Sequence, residues 1–333
     1  MSGREDRALG ALVGLAAGDA LGMPTQMLPR ATVVARHGPV LGGFRPAPDD
    51  HPLAAGMVAG AVTDDTEQAV LLGRLLVEGH GTVDAVELAG RLLAWEEQMR
   101  ARGSLDLLGP STRRALADLL AGADVEESGR FGDTNGAAMR ITPVGIATPP
   151  DLARLVDAVV EASRVTHNTG VALAGAAAVA AAVSAGIDGA GVTDAIDLAV
   201  RAAEAAGPRG RWVAAADVSA RIRWAVDAVA GLDGPAACDV VFRLVGTSLA
   251  TQESVPAAFA LLSVSAEDPW LTCRLAASVG GDSDTIAAMA GAVAGACAGA
   301  DAFPAEVPVI LEQVNHLGLA DLASALLRLR DAR

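Results

Sequence analysis

Two short runs of acid and hydroxyl residues stand out, each placed immediately before an apolar segment. The first is Thr63-Asp64-Asp65-Thr66, ahead of Glu67 to Glu78. The second is Gly280-Gly281-Asp282-Ser283-Asp284-Thr285, ahead of Ile286 to Ala300. The simplest role for either run is helix capping, in which Thr or Asp satisfies free backbone N–H groups and complements the helix dipole. A cap needs one side chain, however, and each run supplies two carboxylates together with hydroxyls. On a regular helix Asp64 and Asp65 would point about 100° apart, and Asp282 and Asp284 about 200° apart. Each pair can converge only in irregular backbone at a loop-to-helix junction, which is where both runs lie. Four carboxylates gathered in one place raise one another's pKa values unless cations balance them. Hard oxygen donors of this kind suit Mg²⁺ or Mn²⁺ rather than Zn²⁺ or copper. The sharper expectation is therefore a two-metal site with ions roughly 3.5–4 Å apart.

Other groups carry less on their own. Gly18-Asp19-Ala20-Leu21-Gly22 puts an acid near the end of an apolar helix, where Asp19 is either a solvated terminal residue or a support behind the metal ligands. Gly132-Asp133-Thr134-Asn135-Gly136-Ala137-Ala138-Met139-Arg140 reads as a turn, and its small residues would also let a ligand phosphate approach backbone N–H groups. Ser163-Arg164-Val165-Thr166-His167-Asn168 joins two helices, and His167 is either a structural histidine or a ligand contact. His80 with Asp84, and Glu312 with His316, have i,i+4 spacing but no third nearby ligand, which fits solvated pairs at helix ends. His37 and His51 receive no role.

The elements that must position these residues are helices. Ala, Leu, Arg and Glu fill long segments, Tyr is absent and Phe and Trp are few, so strand formers are scarce. The periodicity predicts helices near 5–22, 64–78, 82–102, 111–121, 151–165, 169–186, 192–206 and 212–230, then near 235–248, 255–264, 268–278, 284–299, 304–315 and 319–330. Gly79, Gly103 and Gly122 sit just past helix ends, and Pro235, Pro256 and Pro304 in first turns. Residues 23–62 carry six prolines and read as a long irregular stretch of the kind that forms lids or binding segments. Residues 126–150 are a second interruption, rich in Gly and polar residues. No linker divides the chain and no fixed-period repeat appears, so residues 1–333 read as one domain.

Composition narrows the function classes. The net charge is −15, and none of the 25 cations is lysine. So acidic a surface repels phosphate backbones and anionic lipid, which argues against nucleic-acid or membrane-surface partners. Gly170 to Ile187 carries no charge and is long enough to raise the question of a membrane span. It is mostly Ala, Gly and Val, and alanine contributes little to insertion, so a close-packed core helix is expected. Cys238, Cys273 and Cys297 fit neither a disulfide framework nor a metal motif, and the opening residues show no cleavable secretory pattern. A soluble, cytoplasmic protein is expected.

In their order along the chain these motifs make the sequence similar to the ADP-ribosylglycohydrolase family. The matching residues are Gly18–Gly22, Thr63–Thr66, Leu105-Asp106-Leu107-Leu108-Gly109 with Thr112-Arg113-Arg114-Ala115-Leu116, Asn135–Arg140, Thr166-His167 and Gly280–Thr285. The resemblance implies an all-α, single multi-helix domain with a binuclear metal cleft holding two Mg²⁺ or Mn²⁺ ions. By position it implies Thr63, Asp64, Asp65, Asp282, Asp284 and Thr285 as ligands, with Asp19 behind them and Asp106 as the acid–base carboxylate. Asn135, Gly136, Met139, Arg140 and His167 match segments that line the substrate cleft. The implied activity is hydrolysis of the ribosyl C1–N bond in an ADP-ribosylated protein or a smaller ribosylated N-glycoside. Where the family commonly carries a Glu from a mobile loop, this chain has Gln26. An amide cannot take a proton and binds hard cations less strongly than a carboxylate. Gln26 is expected to contact substrate, and the alternative is a non-catalytic binder of ADP-ribose or nucleotides that kept the pocket.

Overall fold

In the computed structural model, which describes residues 3–105 and 107–332, the chain forms eighteen α-helices. The first six are α1 (Gly3–Gly22), α2 (Arg30–His37), α3 (Asp64–Glu78), α4 (Ala85–Ala101), α5 (Pro110–Leu120) and α6 (Val125–Ser128). Next come α7 (Gly136–Met139), α8 (Thr142–Ala147), α9 (Leu152–Ser163), α10 (Gly170–Ile187), α11 (Val192–Ala206) and α12 (Val218–Val229). The rest are α13 (Gly234–Val240), α14 (Thr251–Val264), α15 (Pro269–Ala276), α16 (Ser283–Ala298), α17 (Glu306–Asn315) and α18 (Leu319–Asp331). Among the described residues no strand forms, and only two isolated bridges occur, Thr134 with Ala250 and Thr169 with Arg211.

The fold is organised around α1 and α16, which run antiparallel in backbone contact. Gly10, Gly14, Gly18 and Gly22 recur every four residues and so share one face of α1. Gly291 and Gly295 do the same on α16. A Cβ placed on Gly14 would lie 2.0 Å from the Gly291 carbonyl oxygen, and one on Gly18 2.0 Å from that of Ala287. On Gly22 it would lie 2.3 Å from the Asp284 Cα. The seam therefore ends at the second acid run. Helix α10 packs against α8, α9, α11 and α16, with 94% of it buried, so the uncharged segment is a core helix here.

Several boundaries differ from the sequence reading, each for a local reason. The stretch 23–62 contains α2, whose Arg30 guanidinium donates to the carbonyl oxygens of Pro39 and Ser278 and folds the segment onto the core. Residues 126–150 contain α6, α7 and α8 rather than a continuous loop. The predicted helix 235–248 is cut into α13 and a wider π turn at Val241–Val245. Helix α14 begins at Thr251, so Pro256 lies inside it. Proline cannot donate to the carbonyl four residues earlier. Arg221 takes that place, its Nε donating to the Gln252 oxygen at 3.2 Å.

The seam predicts opposite outcomes for two identical substitutions. Gly14→Ala must push α1 from α16 and should cost about 1–3 kcal/mol or more, seen as a lower melting temperature. Gly90→Ala lies mid-helix in α4 with open space around it, and should stabilise by about 0.5–1 kcal/mol.

Candidate active site

Helix α3 begins in an unusual way. Its N-cap residue, Thr63, makes no side-chain capping bond. The orphan N–H groups are satisfied from another helix, by Asp19 of α1. The Asp19 carboxylate accepts from the backbone N–H of Thr63 at 3.0 and 3.1 Å and from that of Thr66 at 3.1 Å. It also accepts from the hydroxyls of Thr63 at 2.8 Å and Thr66 at 2.5 Å. Asp19 is fully buried, and burial pushes its pKa up to about 6 against the lowering effect of these four groups. Because Asp19 caps α3, neither Asp64 nor Asp65 is used for that purpose.

The start of α16 is built from two glycines. Gly280 and Gly281 have φ of +77° and +68°, the left-handed region that side chains disfavour. A Cβ on Gly281 would also lie 2.2 Å from Thr247 Oγ1. The turn lets Asp282 N–H donate to the Thr247 oxygen at 2.7 Å, while the N-cap Asp282 makes no side-chain capping bond. The acids of both runs thus stand clear of the capping role that their positions suggested.

The two runs meet. Asp65 Oδ2 accepts from Thr285 Oγ1 at 3.2 Å, joining α3 to α16, and lies 3.3 Å from Thr63 Oγ1, whose proton is shared with the closer Asp19. Asp65 Oδ1 is buried and has no hydrogen-bond partner among the described residues. Burial, then repulsion from Asp64, Asp284, Asp19 and Asp282, holds the Asp65 carboxyl well above the usual range. Asp282 is pushed up to about 6 by burial, against a 2.5 Å bond from Asn135 Nδ2. Among the described residues no three His, Cys, Asp or Glu side chains close into a ligating cage. Two of the acids are held by amide donors: Gln68 Nε2 donates to Asp64 Oδ2 at 2.9 Å, and Asn135 holds Asp282.

These acids form one end of a cavity of about 300 Å³. Of the residues singled out in the sequence, Gln26, Asp64, Asn135, Gly136, Met139, Asp282, Asp284 and Thr285 line it. Arg113 adds a cation to the wall, and Leu53, Leu105 and Leu108 add apolar surface. Thr63 and Asp65 are buried beneath this end. Asp106 lies outside the described residues. A second cavity of about 370 Å³ shares Leu53, Asp64 and Leu105 with the first and continues past Glu67 and Trp95.

Arg140 and His167 do not line this cavity. Both are completely buried and stand behind the cavity wall, not in it. Arg140 donates to Gln68 Oε1 at 3.2 Å and to Thr166 Oγ1 at 2.5 Å. Thr166 Oγ1 also lies in hydrogen-bond contact with His167 Nδ1 at 2.8 Å. His167 Nε2 faces Thr134 Oγ1 at 3.2 Å. Burial, then the Arg140 charge, lowers the His167 pKa well below its usual value, so the ring is neutral. Gly136 makes room for it, since a Cβ there would lie 2.9 Å from His167 Cε1.

Two residues were missed in the sequence. Gln68 stands four residues after Asp64, a helical spacing that could have revealed it. His51 had no such signal. Its Nδ1 accepts from the N–H groups of Leu53 at 3.2 Å and Ala54 at 2.8 Å, so Nε2 carries the proton and donates to the Gln26 oxygen at 2.9 Å. On its other side Met27 N–H donates to the Gly281 oxygen at 2.6 Å. Residue 26 is pinned at the cavity by both.

A family model described as ADP-ribosylglycohydrolase matches residues 1–333. The uncharacterized protein YegU of Escherichia coli (strain K12) is 36% identical over 332 residues, 99% of this chain and 99% of its own length. The ADP-ribosyl-dinitrogen reductase glycohydrolase of Rhodospirillum rubrum is 33% identical over 169 residues, 49% of this chain and 52% of that enzyme. Among solved structures, an ADP-ribosylglycohydrolase-related protein complex matches with a TM-score of 0.69 and 26% identity over 99% of both chains. The match runs from the first residue to the last over a helical fold with its acids at one cavity end, and the chain belongs to the ADP-ribosylglycohydrolase family of hydrolases.

Proposed function

We propose that this hydrolase is a divalent-metal-dependent N-glycosidase that cleaves the ribosyl C1–N bond of an ADP-ribosylated protein or a related small N-glycoside. The observation that carries the reading is the meeting of two acid runs at one cavity end, with the capping of α3 taken over by Asp19. The donor set fits hard cations. It consists of carboxylates and hydroxyls, and Asp65 Oδ1 is a buried acceptor that no hydrogen bond satisfies among the described residues. Thr63, Asp64, Asp65, Asp282, Asp284 and Thr285 would hold two Mg²⁺ or Mn²⁺ ions. Such ions, when bound, orient sugar hydroxyls and lower the pKa of water.

The remaining chemistry belongs to the chain. Asn135, Gly136 and Met139 shape the sugar side of the cavity, and Arg113 supplies the positive charge a diphosphate requires in a protein without lysine. Gln26 can donate and accept hydrogen bonds at a ribose hydroxyl but cannot remove a proton. Proton delivery to the leaving nitrogen falls to Asp106, a contribution of ~10²–10⁴-fold.

Release of ADP-ribose or ribose from ADP-ribosylarginine, ADP-ribosylserine and plain nucleosides, with Mn²⁺ and with EDTA, tests the reading. Turnover that requires metal and is abolished in Asp106→Asn is expected; turnover unchanged by EDTA would overturn it.

Metal-free protein should show the cost of burying these carboxylates directly. Asp19 and Asp282 have folded-state values of about 6, raised from 3.8, so in this window the folded state binds more protons than the unfolded chain. Their contribution is full below about pH 4 and is lost as pH rises through 6, roughly 1–3 kcal/mol for each group. Melting curves in EDTA should therefore drop between pH 4 and 6.5 more steeply in wild type than in Asp282→Asn. Mn²⁺ should raise the melting temperature by several degrees near neutral pH and much less at pH 4.

Gln26→Glu puts a carboxylate in the cavity lining. It should tighten Mn²⁺ binding and change kcat by no more than ~10-fold in either direction. A wild type that is silent on every ribosylated substrate while the variant turns over would identify the natural chain as a binder.

A further inference from the structure

Three buried guanidinium groups lie among the described residues, and one differs from the others. Arg30 pairs with Asp239 at 3.0 Å and Arg330 with Asp188 at 2.9 Å. Arg140 is the most deeply buried, at 0% exposure, yet no carboxylate lies within 4.0 Å of it among the described residues. A fully buried cation without a counter-charge is costly. The nearest acids on its hydrogen-bond network are reached through one amide. Gln68, 1% exposed, accepts from Arg140 Nη1 at 3.2 Å and donates from Nε2 to Asp64 Oδ2 at 2.9 Å.

We propose that Gln68 is a positioning residue for Asp64, an amide bridge that makes Arg140 the resident counter-charge of the acid cluster. The amide orientation is determined at both ends. Turning it over would aim NH₂ at a guanidinium and oxygen at a carboxylate, which repel in turn. Asp64 is therefore held in one rotamer by a donor that cannot reverse, and the Arg140 charge offsets part of the repulsion among the four acids. The network continues beyond Arg140 through Thr166 and His167 to Thr134, whose neighbour Asn135 holds Asp282. One polar path thus runs behind the cavity wall from the first acid run to the second.

This inference rests on the reading of Asp64 as a metal ligand, and the test separates the two. Mn²⁺ affinity is measured by calorimetry for wild type, Gln68→Met, Asp64→Asn and the double variant. Gln68→Met should weaken Mn²⁺ about tenfold in the wild-type background and less than twofold beside Asp64→Asn, because a residue that acts through Asp64 has nothing left to position. Equal losses in both backgrounds would overturn the bridge and leave the ligand assignment standing. Asp64→Asn binding Mn²⁺ as tightly as wild type would overturn the ligand assignment, and the tenfold effect with it. A metal-free measurement keeps the bridge testable if Gln68→Met does not fold. The Gln68 side-chain amide resonances should shift in Asp64→Asn and in Arg140→Lys, and unmoved resonances in both would overturn it.

Discussion

Backbone contact between α1 and α16 is the constraint from which the rest of the structure follows. Side chains normally keep helices 8–10 Å apart, and glycine at every fourth position removes that spacing on one face. The close approach places Asp19, one residue beyond Gly18, against the start of α3, and places Asp284 against Gly22. Three helix ends then share one point. The dipoles of α3 and α16 present their positive ends there, which favours carboxylates and anionic ligands alike. The third end, the C-terminus of α1, brings the opposite pole, and burial still holds Asp19, Asp65 and Asp282 above the usual carboxylate range.

Charge is distributed with corresponding economy. The chain carries a large excess of acids and no lysine, so each inward cation is an arginine with a fixed, planar set of donors. Arg30 ties the proline-rich segment to the core, Arg330 closes the end of α10 by donating to the Ser184 oxygen, and Arg140 serves the acid cluster through Gln68. Neutral side chains carry much of the orientation. Asn135, Gln68 and His51 each hold one group of the cavity lining without adding charge to a place already crowded with it.

Much of this was legible in the sequence. The two acid runs, the helix periodicity and the buried character of the segment around α10 were read from residue types and spacing alone. The glycine period of α1 was equally visible but acquires meaning only once its partner helix is known. Arg140 and His167 share motifs with lining residues yet do not line the cavity, because adjacency in a motif says nothing about which side of a wall a side chain occupies. Arg140 follows Met139, which lines the cavity, yet is itself fully buried and does not line it. His51 was unreadable for a different reason: its three bonds are to backbone atoms of an irregular segment, and no side-chain pattern encodes such contacts. Pro256 misled because its helix continues through it, with Arg221 supplying the missing donor.

The glycine seam has a consequence for how such a protein can change over time. A junction made of main chain against main chain offers no side chain to enlarge, shrink or repack, so its dimensions have no graded variants. The cavity wall is different, since Leu53 and Leu105 lie outside the buried core and can each be exchanged for a side chain of another size without touching the frame. Selection for a new substrate can therefore act on the wall while the acids keep their separation, and the reactive end is inherited as a fixed unit.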